Sequence, residues 1–505
     1  MSELQINFDD RFSKLNAKNQ KTALTIGDDS YSYAELNQRI NNFALSLLGD
    51  KNDLAEERIA FMISAGLDYV VSLFGIWRAG GIAIPLNTSS AIPELEHYLS
   101  CASVTRLLVL TRPQPELAEL CASLSISIHD VKTVNDNAKR QQTGKKLPNL
   151  ESSRRAMILF TSGTTNKPKG VVSTHGNICA QISSLIEAWA WQENDSIPLY
   201  LPMHHVHGII NILCSGLWAG ATIDVYKSFE MEAILKNVVA GRYTVFMAVP
   251  TIYAKLIPHL ESISEAEKDA ICSGFKAMRL NISGSAACPV PIFEKWLALT
   301  EQNLLERYGM TEIGMAISNP YHGERRAGAV GVPLPGVEVA LFDEDNIVIT
   351  KEDTPGEIRI KGPTVFLEYW DNPTATKESF HEGWFCTGDV AVIENGYYRI
   401  MGRSSIDIIK SGGYKLSALE IEGVLLNHEK ISECAVIGVS DDTWGEAVTA
   451  FLVLTPNTSL TLDALKDWCK ERMSAYKIPK NIKIVDSLPR NAMGKVTKKL
   501  LRDLV

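Results

Sequence analysis

The sequence predicts an α/β protein with a large N-terminal domain of α/β layers, a β-rich subdomain within it, and a small α+β C-terminal domain. Three observations carry this. Short apolar runs alternate with amphipathic helical segments over the first 300 or so residues. From Gly328 the texture changes to short strand-like pieces punctuated by Gly and Pro, as in VGVPLPGVEVALF and PGEIRIKGPTV. From about residue 403 helical and strand patterns mix again over roughly 100 residues, within the usual size of a domain. The expected division is therefore 1–402 and 403–505.

Taken in order, Ser32 and Glu35 form a Ser-x-x-Glu start, and Leu36, Ile40, Phe43, Ala44, Leu47 and Leu48 recur at helical spacing to Asp50. Strands are expected at 58–62, 81–86 and 106–110, with a helix at 67–79 between the first two. The same rhythm returns with strands at 156–161, 244–248 and 278–282. In the last region strands are expected at 435–439 and 449–454, and helices at 418–426 and 462–473.

Composition narrows the function. At 45% hydrophobic and 22% charged, the 505 residues match a folded globular chain rather than a disordered or fibrous one. The net charge of −9 disfavours nucleic acid as a partner, since such binding draws on phosphate neutralisation. Nine scattered cysteines without a C-x-x-C pair read as reduced core residues. The start MSELQINFDDRF has neither a secretory nor a transit-peptide pattern, and the apolar stretch 208–223 is interrupted by Asn211 and Ser215 and too short to span a bilayer. A cytoplasmic protein without a membrane span is expected.

Four clusters carry chemistry. In Leu159-Phe160-Thr161-Ser162-Gly163-Thr164-Thr165-Asn166-Lys167-Pro168-Lys169-Gly170 a strand feeds a hydroxyl- and Gly-rich loop with two lysines, a set suited to polyphosphate. It is not a Walker A loop, because Lys169 precedes Gly170 and Val171 follows. In Glu306-Arg307-Tyr308-Gly309-Met310-Thr311-Glu312, preceded by Ser283-Gly284-Ser285-Ala286-Ala287, an aromatic ring, a hydroxyl and a carboxylate suit a purine, a phosphate and Mg²⁺. Taken alone, Tyr308 is equally a core residue and Glu312 a solvated charge. Asp389 after Gly388, with Arg403 following, suits ribose hydroxyls or a simple turn. Lys410-Ser411-Gly412-Gly413-Tyr414-Lys415 and Gly494-Lys495 complete the set.

In this order and spacing the clusters resemble the adenylate-forming superfamily of acyl-CoA synthetases, luciferases and adenylation domains, over nearly the whole chain. The resemblance implies that Thr161, Ser162, Gly163, Thr164, Thr165 and Lys169 wrap the ATP phosphates. It implies that Tyr308 stacks on adenine beside Gly284, Ser285 and Ala286, and that Thr311 and Glu312 serve phosphate and Mg²⁺. Asp389 and Arg403 would hold ribose, Lys495 would be the adenylation lysine on a mobile C-terminal domain, and Lys410, Gly412 and Gly413 would meet coenzyme A. ATP, Mg²⁺ and coenzyme A are thus the expected cosubstrates and metal. Relatives pivot on an Asp or Lys shortly after the arginine; here Arg403-Ser404-Ser405-Ile406-Asp407 carries one extra residue, so the pivot falls within 404–407.

The segments HHVHG, MRLNISGSAA, ERYGMTEIGM and GAVGVPLPGVEV resemble the malonyl-CoA synthetase branch, including its mitochondrial malonyl/methylmalonyl type. That branch implies that Arg279 and His207 hold the distal carboxylate and His205 gates the reacting one. Strand alternation, which puts Arg279, Asn281 and Ser283 on one face, agrees with a polar wall. The expected activity is AMP-forming ligation of malonate or methylmalonate to coenzyme A. The alternatives are ligation of another short or medium acid, or a stand-alone adenylation enzyme loading a carrier. The latter is disfavoured because such modules place an Asp where His204–His207 stand, and because the chain ends ten residues after Lys495. A monomer or homodimer is expected.

Overall fold

The computed structural model describes residues 20–138, 145–161, 168–411, 414–441, 444–490 and 496–504. The helix Tyr33–Leu48 begins as its pattern predicts: Ser32 accepts the Glu35 N–H, and the Glu35 carboxylate accepts the Ser32 N–H at 2.8 Å. Its apolar stripe packs on the helix Leu67–Arg78, where Gly75 permits close approach, since a Cβ there would fall 2.5 Å from Phe43 Cδ1.

The strands Ser127–Asp130, Arg106–Val109, Arg58–Met62, Ile82–Pro85 and Arg155–Thr161 lie side by side and parallel in a seven-stranded sheet. That sheet then turns antiparallel through Lys169–Thr174 to the short strand Glu368–Tyr369. A second layer holds Val245–Ala248, Leu280–Ser283 and Leu305–Met310 in parallel, followed by the antiparallel strands Gly314–Ser318 and Val332–Pro333. A four-stranded sheet pairs Thr22–Ile26 and Asp29–Ser32 with Thr222–Val225 and Ser196–Leu199. The Gly/Pro-rich region forms an antiparallel sheet around Gly356–Lys361 and Trp384–Glu394, with Tyr397–Arg403 at its end.

Residues from 408 onward build a separate five-stranded sheet with its own core, in which Ile409, Leu416, Ile421, Leu425, Val436 and Leu465 are buried. A small apolar cluster of Val390, Val392, Met401 and Ile408 joins it to the preceding sheet. One stretch without an expected element takes a form of its own, and one expected strand shifts. The apolar stretch near 208 is a π-helix, His207–Cys214, running into a short helix, Ser215–Ala219, and the strand Thr222–Val225. The strand expected at 278–282 is Leu280–Ser283, so Arg279 lies in its lead-in. Among the described residues no helix is long and apolar enough to cross a membrane.

Candidate active site

The antiparallel register that sets Asp389 opposite Arg403 brings their side chains together, with Arg403 Nε 2.9 Å from Asp389 Oδ1. The other Asp389 oxygen accepts the Tyr308 hydroxyl at 2.5 Å, which joins two separate sheets at one carboxylate. Burial raises the Asp389 carboxyl, and Arg403 and Tyr308 pull it partly back.

Thr311 and Glu312 sit in the turn between Leu305–Met310 and Gly314–Ser318. Glu312 is buried, its Oε1 accepts the Tyr369 hydroxyl at 3.0 Å, and its carboxyl is raised by burial against the pull of Arg403 and Lys169. Lys169, paired with Thr161 across the antiparallel strands, lies 4.7 Å over the Tyr369 ring. Thr161, Lys169, Tyr369 and Glu312 therefore share one neighbourhood at the mouth of the loop 162–167. Ser162, Gly163, Thr164 and Thr165 of that loop lie outside the described residues, as do Gly412, Gly413 and Lys495.

A third group lies where the strand Leu280–Ser283 ends. Gly284 has the Arg307 side chain directly over its backbone: a Cβ there would fall 2.6 Å from Arg307 Cζ. Ser285, held at φ +68°, sets its Oγ 3.0 Å from His207 Nδ1 and 3.4 Å from Arg307 Nη2, and Ala286 beside it is exposed. Arg307 and His207 are both about 95% buried. Burial pushes the Arg307 guanidinium down to about 9, so it stays cationic at neutral pH. Burial, helped by Arg307 and His205, holds His207 well below its usual range and neutral. Among the described residues Arg307 has no carboxylate partner, and its Nε and His207 Nε2 have no hydrogen bond. The His204 and His205 rings lie 4.3 Å apart just before the π-helix.

Arg279 is not in this group, which corrects its expected place on a site-facing strand edge. Its fork takes both oxygens of buried Asp195, at 2.7 and 2.5 Å, and donates to the Trp189 carbonyl at 2.9 Å. The reason is position along the strand: Arg279 precedes Leu280 at one end, whereas Gly284 and Ser285 follow Ser283 at the other. Lys410 is also apart, with its Nζ mostly exposed and 3.9 Å from Glu344.

Residues 12–370 match the AMP-binding enzyme family, and residues 420–495 match the AMP-binding enzyme C-terminal domain. The chain belongs to the AMP-binding enzymes. It is 42% identical to the mitochondrial malonate–CoA ligase ACSF3 of Mus musculus, over 90% of this chain and 82% of that one. It is 36% identical to the malonate–CoA ligase of Arabidopsis thaliana, over 97% and 87%. Among solved structures, ATP-bound MatB from Rhodopseudomonas palustris superposes with a TM-score of 0.89 at 31% identity, over 99% of both chains. A malonyl-CoA ligase ternary product complex with methylmalonyl-CoA and AMP gives 0.68 at 34% identity, over 94% and 97%. The fold is that of these adenylate-forming enzymes, and the chain is an AMP-forming acid–CoA ligase with ATP and coenzyme A as substrates.

Within this AMP-binding enzyme, sequence reasoning missed Arg307, Tyr369 and Asp195 as partners. Arg307 was legible in principle, because a cation inside a strand buried on both faces needs a counter-charge or a ligand. For Mg²⁺, Glu312 supplies one buried oxygen donor beside the phosphate loop, and no cluster of three metal-ligating side chains exists among the described residues. These residues fit a cation that arrives with the nucleotide phosphates and keeps several waters.

Proposed function

We propose that this enzyme joins malonate to coenzyme A through malonyl-adenylate, releasing pyrophosphate and then AMP. The carrying observation is buried Arg307 with no carboxylate partner among the described residues, flanked by neutral His207. A guanidinium so held takes a second carboxylate with its fork. If Ser285 donates to His207 Nδ1, the remaining ring proton sits on Nε2 and adds a hydrogen bond. A simple fatty acid offers neither group anything to hold. Arg307 thus takes the role first expected of Arg279, and the names of the relatives agree with the substrate.

The substrate carboxylate attacks the α-phosphorus of ATP, the bond to the β-phosphate oxygen breaks, and pyrophosphate leaves. Thr161, Lys169 and the loop 162–167 neutralise phosphate, Tyr308 faces adenine beside Gly284, Ser285 and Ala286, and Asp389 with Arg403 holds ribose. Thr311 meets phosphate, and Glu312 would hold Mg²⁺, which when bound spreads phosphate charge. Lys495 neutralises charge between carboxylate and phosphate, and His205 gates the reacting end. In the second step the thiol sulfur of coenzyme A, seated near Lys410, Gly412 and Gly413, attacks the acyl carbon and AMP departs. We assign the pivot between the domains 1–402 and 403–505 to Ser405–Ile406. Support comes from the Ser404 N–H bonded to Gly388 on the large domain, and the Asp407 carbonyl bonded to Ala418 on the small one.

The test is a carboxylate panel in a pyrophosphate-release assay, with and without coenzyme A. Malonate or methylmalonate should be fastest, malonyl-CoA should form only with coenzyme A present, and EDTA should stop adenylation and, with no adenylate made, malonyl-CoA formation. A preference for butyrate overturns the dicarboxylate reading, and transfer only to a carrier protein supports the stand-alone alternative. The cytoplasm remains our proposed compartment, set against relatives named as mitochondrial, and fractionation separates the two. A monomer or homodimer is likewise proposed, to be read by light scattering.

A further inference from the structure

Lys498 opens the short terminal helix Lys498–Arg502 and is only 9% exposed. A buried ammonium is unfavourable unless paired, and here two carboxylates meet it. Its Nζ lies 2.6 Å from Asp407 Oδ1 and 2.7 Å from Glu422 Oε1. Glu422 belongs to the helix Ala418–Leu425 and also accepts the Val436 N–H at 2.6 Å, so it is fixed to the core of the small domain. Asp407 uses its other oxygen to accept the Arg403 N–H at 3.0 Å. It packs so tightly on Gly402, held at φ +123°, that a Cβ there would fall 2.3 Å from Asp407 Cβ. Beyond Arg403 the path continues through its guanidinium to Asp389 and on to Tyr308.

An unbroken line of polar contacts therefore runs from the terminal helix, past the pivot, to the nucleotide cluster. Lys498 anchors its far end and stands three residues after Lys495 in the chain. An apolar side chain would fill such a position at no electrostatic cost, so stability alone does not account for three charges gathered here.

We propose that Lys498 is a positioning residue for the adenylation half-reaction. It touches no reactant. By holding Asp407 against the Arg403 backbone and Glu422 against the small domain, it fixes the register of the terminal segment that bears Lys495 relative to the ribose-holding pair. The inference rests on the adenylation role proposed for Lys495.

The test uses the full chain with malonate, ATP, Mg²⁺ and coenzyme A. Pyrophosphate exchange reads the first half-reaction, and malonyl-CoA formation from synthetic malonyl-adenylate reads the second. Lys498→Met should lower kcat of adenylation at least about tenfold, with KM for ATP and the rate of thioester formation each within about twofold of the parent. Asp407→Asn still accepts the Arg403 N–H but loses the charge that holds Lys498; it should show the same split, and it decides the matter if Lys498→Met does not fold. Lys499→Met, at the exposed neighbouring position, should leave both halves unchanged. Equal loss in both half-reactions marks a merely structural lysine and overturns the proposal, as does unchanged adenylation. Lys495→Ala run in parallel separates the two failures. If Lys495→Ala keeps adenylation, the underlying reading falls and takes this one with it. If it loses adenylation while Lys498→Met keeps it, only the present inference falls.

Discussion

Arg307 and Arg279 differ in what surrounds the guanidinium, and their replacement should differ in kind. Removing Arg307 takes away the partner of a substrate charge that leaves water, a loss on the order of 2–5 kcal/mol. In Arg307→Ala the ratio of kcat/KM for malonate over butyrate should therefore collapse by about 1.5 to 3.5 orders of magnitude. Equal losses on both acids would make Arg307 structural. Removing Arg279 instead strands Asp195, whose side chain is 1% exposed, and should destabilise the fold by about 3–5 kcal/mol. The Gln192 N–H and Thr244 hydroxyl still bonded to Asp195 favour the lower end. A denaturant titration of Arg279→Ala checks this, with the malonate-to-butyrate ratio unchanged in the surviving activity. Glu306 offers a pH test. Burial lifts its carboxyl from 4.5 to about 8, so the folded state keeps a proton that the unfolded chain releases above its lower value. The stability this lends is full below pH 4.5 and is lost as pH rises through the folded value near 8. Glu306→Gln, neutral throughout, should gain melting temperature relative to the parent steadily from about pH 5 to about pH 8. A pH-independent difference would show that Glu306 does not titrate in this range.

At the scale of elements, the hairpin carrying Thr311 and Glu312 depends on Gly309. A Cβ there would fall 2.1 Å from the Gly314 carbonyl oxygen and 2.9 Å from Met315 Cα, both on the backbone of the facing strand. Gly309→Ala should push the turn outward and lower adenylation by about a hundredfold, the usual effect of a misplacement near 1 Å. Pyrophosphate release measures it, and a rate within about twofold of the parent would mean that the hairpin absorbs the methyl group without moving its turn. Elements of this kind were unevenly legible. The helix Tyr33–Leu48 could be read because its cap and its period are local properties of Ser32, Glu35 and the Leu36–Leu48 stripe. The strand Leu280–Ser283 was found with its alternation intact, but it begins two residues later than expected, because burial on both faces leaves no pattern that marks where such a strand starts. Arg279 was thereby placed within the strand rather than before it, and Arg307 was left without a role. The π-helix His207–Cys214 has no sequence signature in its largely apolar run, and Tyr369 meets Glu312 only because the chain returns to pair Glu368–Tyr369 with Val171 and Val172. Tyr308 and Asp389, which the structure brings together, could be picked out because each lies within a short contiguous segment.

For the whole molecule, the two half-reactions should separate in one variant. Lys495→Ala should abolish pyrophosphate formation while sparing thioester formation from supplied malonyl-adenylate, because an ammonium on the small domain serves only the pose in which it reaches the α-phosphate. Retained pyrophosphate release, or equal loss in both steps, would remove that assignment. The independent core of residues 408 onward has an architectural consequence as well. His207, Ser285 and Arg307 all precede residue 408, whereas the terminal sheet buries an apolar surface of its own and meets the preceding sheet through side chains that include Val390, Val392, Met401 and Ile408. The terminal part is thus an exchangeable module: grafted from a relative with a different acid preference, it should bring its own thiol-handling surface and leave the choice of acid with the host.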